Sequence, residues 1–346
     1  MKPVPFPHPQ PSPLILTPKD EAILKQFVEY RFLTAQEVTA LCYSKGSLTY
    51  ARARLSALSG NQDITDEGLT YEFPLWRFGF PTGKRGNNER IFALSLTGSR
   101  MLDSLGIPGA WFLRPSRLRT YAHSYYLHEL TRNRFVVSLL AWAKSRPNLS
   151  IQSHLSYELS KQPPTVEIPV QRSVLKEDKL VSLPVMTKVG VICDGEILVT
   201  NTHTGQRLLI LLEIDQNTQA AARLRNHIAT RLTYVRSQHF RDTYGNIPYR
   251  IVYATQGVTD SATQARLAHL CDFTMNLLRE RKRPQDSQYF RFTTITFATL
   301  YEDANRLFGS EQPIWYLPGD HTLHCPVPLF TDAPAHSRKE YTHATA

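Results

Sequence analysis

The stretch Arg207 to Asp215 reads Arg-Leu-Leu-Ile-Leu-Leu-Glu-Ile-Asp, and it limits the fold more than any other segment. It reads as a strongly apolar strand. Upstream, Lys188 to Thr200 reads as a second such strand, and Asn201-Thr202-His203-Thr204-Gly205 supplies a turn between them. This apolar hairpin is broken by carboxylates at Asp194, Glu213 and Asp215. A carboxylate on an apolar strand is costly unless it serves something.

The flanking pattern extends the pair into a larger sheet. A long helix is predicted from about Tyr121 to Lys144, ended by Pro147, and a strand from Ile151 to Leu159. Ser160 to Pro184 bears prolines and mixed charge and reads as a variable loop. After the hairpin come a helix over about 218–238, a strand over 249–254, a helix over about 260–281 and a strand over about 290–296. The order βββαβαβ predicts a mixed-sheet α/β domain.

The amino-terminal third has a different rhythm. Thr17 with Pro18 opens a helix, and Thr34-Ala35-Gln36-Glu37 is a capping box that opens a second. A third follows Ser44-Lys45-Gly46-Ser47 and carries Tyr50, Ala51, Leu55 and Leu58. Two β-rich runs, 69–80 and 90–96, flank a turn-rich basic tip at 81–88, and Thr97 is placed to cap a fourth helix. Three short helices and a β-hairpin form the order of a winged helix-turn-helix. Its third helix offers Ser47, Thr49, Tyr50, Arg52 and Arg54 to base edges or phosphates. The hairpin offers Arg77, Lys84, Arg85 and Arg90 to phosphates or an adjacent minor groove. The same charges also suit a solvated surface on a small structural or protein-binding domain.

Composition narrows the class. The chain has 346 residues, which suggests two domains. A hydrophobic share of 42% excludes a wholly disordered chain, and four scattered cysteines exclude a disulfide scaffold. Cys42, Cys193, Cys271 and Cys325 have no C-x-x-C spacing, so they read as buried free thiols rather than zinc ligands. The net charge of +10 favours an anionic partner, nucleic acid first, and with the winged pattern double-stranded DNA. No run suits a membrane span, and the proline-rich amino terminus lacks a signal-peptide core, so a cytoplasmic protein is expected. The expected division is a disordered leader at 1–16, a winged domain at 17–113, a basic linker at 114–120, an α/β domain at 121–330 and a disordered tail at 331–346.

Two carboxylates on neighbouring strands, Asp194 and Glu213, could hold Mg²⁺, the only cofactor the residues suggest. Such an ion would activate water for phosphodiester cleavage. That arrangement is similar to the PD-(D/E)xK nuclease core, in which an Asp on one strand and a (D/E)-x-K triplet on the next form the site. Here the triplet is Glu213-Ile214-Asp215, so an acid stands at the lysine position. A basic group could come from the following helix, at Arg223, Arg225 or His227, and Glu129 or Glu158 could add acids. The plainer alternative has Asp194 in a turn with Gly195, Asp215 as a helix cap, and Glu213 paired with an arginine.

Other constellations read as structural. Tyr121, Tyr125 and Tyr126, with His123 and His128, suggest aromatic packing rather than a relaxase site. Phosphate-loop and dinucleotide fingerprints are missing from the sequence. Arg279-Glu280-Arg281-Lys282-Arg283 reads as a basic helix end that complements the helix dipole and could touch phosphates.

Several segments together resemble the replication-relaxation family of bacterial plasmid and mobile-element proteins. They are Thr17-Pro-Lys-Asp-Glu-Ala-Ile-Leu, Tyr30-Arg-Phe-Leu-Thr-Ala-Gln-Glu-Val, Tyr50-Ala-Arg-Ala-Arg-Leu-Ser-Ala-Leu, Phe92-Ala-Leu-Ser-Leu-Thr-Gly, His128-Glu-Leu, Cys193-Asp-Gly, Leu212-Glu-Ile-Asp-Gln-Asn-Thr and Pro313-Ile-Trp. The resemblance implies DNA handling in replication or mobilisation, with a winged helix before a nuclease-like half. It also implies that the E-x-D triplet is the family's own form, and that His227 stands where relatives often carry a lysine. The expected fold is therefore α+β to α/β, a winged helix-turn-helix before a restriction-endonuclease-like core. The expected function is DNA binding in plasmid or mobile-element replication or mobilisation, with nicking by a divalent metal left open. The alternatives are a non-catalytic replication accessory or regulator, and a scaffold. A homodimer and replication or mobilisation proteins are the expected protein partners.

Overall fold

The computed structural model describes residues 14–65, 72–81, 88–108, 110–155, 161–176, 179–216, 220–256, 260–295, 307–309 and 313–330. The chain divides into two compact units, Met1–Asn133 and Arg134–Ala346. Together they are mixed α and β, with helices and both parallel and antiparallel strand pairs.

In the first unit, α1 (Pro18–Tyr30) begins where the sequence placed it. Thr17 and Asp20 form a reciprocal capping box, and Ile23, Leu24 and Phe27 are buried on one face. β1 (Phe32–Thr34) leads into α2 (Ala35–Cys42), where Glu37 accepts from the Thr34 N–H at 2.6 Å. α3 (Leu48–Leu58) buries Ala51, Leu55 and Leu58. β2 (Leu75–Pro81) and β3 (Asn88–Leu94) pair antiparallel, and β1 adds to β3 to give the order β1-β3-β2.

Two expectations need correction here. The fourth helix, α4 (Leu96–Ser104), is capped by Ser95 rather than Thr97; the Ser95 hydroxyl accepts from the Gly98 N–H at 3.1 Å. The basic stretch expected as a linker is itself helical over Pro115–Thr120 (α5), with Pro115 at the first helical position. α6 then runs His123–Lys144, so the division between the units falls within a helix.

The second unit contains β4 (Leu149–Leu155), β5 (Thr165–Lys176), β6 (Lys179–Gly190), β7 (Gly195–Asn201) and β8 (Arg207–Asp215). It continues with α7 (Ala221–Tyr234), α8 (Gln238–Tyr244), β9 (Tyr249–Thr255), α9 (Asp260–Glu280), a 3₁₀ turn (Pro284–Tyr289) and β10 (Phe290–Thr294). Five strands form one sheet in the order β10-β9-β8-β7-β4. β8, β9 and β10 run parallel, while β4, β7 and β8 form an antiparallel meander.

The apolar run on β8 explains its central place. Leu209 to Leu212 are all buried, because β8 has a neighbour on each edge and covered faces. Leu209 and Leu211 pack with Ile251 of β9, with Leu224, Ile228 and Leu232 of α7, and with Leu267 and Leu270 of α9.

The second unit departs from the sequence reading in three places. Residues 165–176 and 179–190, expected as part of a loop and a strand, pair as the two antiparallel strands β5 and β6. The strand expected over 188–200 is interrupted: β6 ends at Gly190, and residues 191–194 are irregular before β7. The helix expected over 218–238 stops at Tyr234, and Ser237 caps α8, its hydroxyl accepting from the Phe240 N–H at 3.1 Å. No described helix is long and apolar enough to cross a membrane.

Candidate functional site

The irregular stretch 191–194 delivers Asp194 to the start of β7, next to the end of β8. Gly195 pairs with Leu212, so Asp194 lies one step further along, beside Glu213. Asp194 is fixed there by its backbone, whose N–H reaches Leu212 O at 3.0 Å. Its carboxylate accepts from the Ile214 N–H at 2.7 Å.

Side-chain alternation puts Leu209, Leu211, Glu213 and Asp215 on one face of β8, toward α7 and α9. Both acids are buried, Glu213 at 6% exposure and Asp215 at 2%. Burial on that scale requires a counter-charge. Arg231 of α7, itself buried, donates through Nε to Glu213 and through Nη2 to Ile192 O at 2.6 Å. Arg266 of α9 holds Asp215 with a bidentate fork at 2.8 and 3.0 Å.

The electrostatics follow from this packing. Burial pushes the Glu213 carboxyl up to about 7, against the opposing pull of Arg231, with the nearby Asp194 charge adding to the rise. His227 lies one helical turn before Arg231, and its pKa is lowered to about 4 by burial, helped by the positive charges of Arg231 and Arg223. At neutral pH it is an uncharged imidazole whose buried Nδ1 has no hydrogen-bond partner among the described residues. Burial also holds the Cys193 thiol well above its ordinary range.

The structure therefore brings Asp194, Glu213 and His227 into one electrostatic neighbourhood. Asp215 is nearby along β8 but is committed to Arg266. The sequence reading offered Glu213 an unnamed arginine, which is Arg231, and offered Asp215 as a helix cap, whereas it is held by Arg266. Arg231 could have been found as the i+4 partner of His227 on the same helix face; no comparable signal marks Arg266. Of the basic groups named instead, Arg225 pairs with Glu280 and Arg223 is exposed. Glu129 is held by Arg132 at 2.8 and 3.0 Å, and Glu158 lies outside the described residues.

A hard dication needs free carboxylate oxygens. Here Glu213 Oε1 and both Asp215 oxygens take arginine N–H groups, and Asp194 Oδ2 takes a backbone N–H. Arginines thus hold three of the four carboxylate oxygens of Glu213 and Asp215. Among the described residues, no group of three or more His, Cys, Asp and Glu side chains is set to hold a metal ion.

The candidate DNA contacts of the first unit differ in exposure. Thr49, Tyr50 and Arg52 are exposed on α3, with Tyr50 at 65%. The Ser47 and Ser44 hydroxyls lie 3.2 Å apart. Arg54 is turned to the protein: its Nε donates to Asp20 Oδ1 at 2.6 Å and its Nη2 to Ile15 O at 2.9 Å. On the hairpin, Arg77 and Arg90 share Asp63, at 3.2 and 2.7 Å. Arg90 keeps 48% of its side chain exposed against 14% for Arg77, so Arg90 is the more available. Lys84 and Arg85 lie outside the described residues.

Two smaller readings resolve with the site. Tyr121 and Tyr125 stack at 4.3 Å between ring centres, and the buried Tyr126 donates to Leu118 O, which is aromatic packing. Cys193 and Cys271 are buried, whereas Cys42 is half-buried and Cys325 is exposed. No family model, no curated protein and no solved structure matches the chain.

Proposed function

We propose that the chain is a DNA-binding protein of plasmid or mobile-element replication or mobilisation. In this reading its first unit is a winged helix that reads double-stranded DNA, and its second is a nuclease-like core kept as a scaffold. The exposed Thr49, Tyr50 and Arg52 on α3 carry the DNA reading. The helix order, the β1-β3-β2 sheet and the exposed Arg90 support it.

The scaffold reading is supported by α6, the β4-β7-β8 meander, α7 and the parallel β9, which give the αβββαβ order of the nuclease core once the β5–β6 pair and α8 are taken as insertions. In this reading Asp194 and Glu213 take the acid positions of such a core, yet Arg231 and Arg266 pair with Glu213 and Asp215. This favours the non-catalytic alternative over nicking.

Binding to a labelled duplex should weaken steeply with salt. Arg52→Ala should cost about 1–3 kcal/mol if Arg52 reads a base edge. No binding by the wild type at low salt would remove the DNA reading. Nicking in Mg²⁺ or Mn²⁺ that Glu213→Ala abolishes would remove the scaffold reading and restore the enzyme.

A further inference from the structure

The carboxyl end of α9 has an unusual turn. Arg281 N–H reaches Leu277 O at 3.1 Å, Lys282 N–H reaches Arg279 O at 2.9 Å, and Arg283 N–H reaches Leu278 O at 2.8 Å. This double closure is the Schellman pattern, which puts its penultimate residue in the left-handed region where glycine is the usual occupant. Here the position holds Lys282, at φ +57°. A lysine in a conformation that L side chains rarely adopt places a cation between Arg281 and Arg283.

Two further guanidiniums are fastened to the same turn. Arg225 of α7 pairs with Glu280, and Arg236, just after α7, pairs with Asp286. The Asp286 N–H in turn bonds Arg283 O at 3.1 Å. Arg281 makes no side-chain hydrogen bond or ion pair among the described residues. It is half-buried, and burial, then the charges of Arg236 and Arg225, lower its pKa. The cluster holds six cations (Arg225, Arg236, Arg279, Arg281, Lys282, Arg283) against two carboxylates (Glu280, Asp286), a surplus of four. The helix dipole accounts for a cation or two here. It does not account for two arginines anchored around a third.

We propose that the α9 carboxyl turn, centred on Arg281 and Lys282, is a second surface of this protein for the phosphate backbone of double-stranded DNA. This rests on the reading that the chain binds DNA and assigns part of that binding to the second unit. A duplex fits better than the other polyanions. A single strand would want exposed aromatic platforms, and an anionic membrane would want exposed apolar side chains. The large exposed apolar residues among those described are Ile15, Tyr50, Leu105, Leu183, Met186 and Ile192, none of them in this turn.

The test uses the full chain, a labelled duplex and a salt series, with Arg281→Gln/Lys282→Gly as the variant. Lys282→Gly removes a charge and relieves the left-handed residue, so the melting temperature should hold or rise. Duplex affinity should fall for every sequence tried, and the slope of log K against log salt should become shallower by roughly 1 for each phosphate no longer neutralised. If the wild type binds and the variant keeps both affinity and slope, the second surface is overturned while α3 binding stands. If the wild type binds no duplex at low salt, the DNA reading fails and this inference with it. Loss in the variant of binding to single strands or to anionic vesicles, with duplex binding intact, would overturn the choice of duplex.

Discussion

Glu213 and Arg231 are buried together, so each depends on the other. Arg231→Met would leave an ionised carboxylate with no cation, and stability at pH 8 should fall by about 3–5 kcal/mol in urea denaturation. The loss should shrink at pH 5, where Glu213 is protonated. Glu213 has a folded pKa of about 7, above its ordinary 4.5. Its contribution is therefore complete below about 4.5 and is lost as pH rises through about 7. Glu213→Gln should flatten the stability curve over that window. His227 runs the other way, since its folded pKa of about 4 lies below 6.5. The stability of its neutral form is present above 6.5 and lost as pH falls through about 4, so His227→Gln should flatten the acid limb. At this scale the sequence showed the acids, because carboxylates stand out on an apolar strand. It did not show Arg231 or Arg266, because which helical residue meets a strand depends on how the helix is rotated on the sheet.

The elements were legible where local signals agree. Thr17-Pro18-Lys19-Asp20 and Thr34 to Glu37 predicted two helix starts that the structure bears out, since a capping box satisfies backbone donors locally. The β5–β6 pair was hidden by Pro169 and Pro184, which read as loop signals. The cap of α4 was misassigned because Ser95 and Thr97 are both good caps, and only packing chooses between them. That packing has a consequence at Gly98. A Cβ there would lie 2.2 Å from Pro74 O and 2.7 Å from Leu94 Cδ1. Gly98→Ala should destabilise the first unit by about 1–3 kcal/mol in thermal or chemical melts, because backbone must move. Asp20 belongs to this scale too, serving the α1 cap and Arg54 of α3 at once. Asp20→Ala should cost about 2 kcal/mol in the same assay, more than a cap alone.

At the scale of the molecule, the sequence placed a linker at 114–120, whereas the division into two compact units falls between Asn133 and Arg134. The missing information was tertiary. The Asn133 amide donates to Tyr30 O and Phe32 O at 2.8 and 2.7 Å, which ties the first half of α6 into the first unit. A fragment covering residues 14–144 should therefore melt cooperatively by circular dichroism, while one ending at 120 should lose that transition. The charge of +10 likewise predicted an anionic partner without a place. The α9 turn holds a local surplus of four, and the exposed part of α3 adds Arg52.

The β5–β6 pair bears on how this protein behaves in a crowded solution. A two-stranded ribbon has two outer edges, and bare edges recruit strands from other molecules. Pro169 faces Met186 in the register and Pro184 faces Gln171, and the ladder continues through both. Their missing N–H groups therefore fall on the outer edges, one on each strand. Each proline interrupts the row of donors that a foreign strand would need, so the ribbon is guarded against edge-to-edge stacking on both sides.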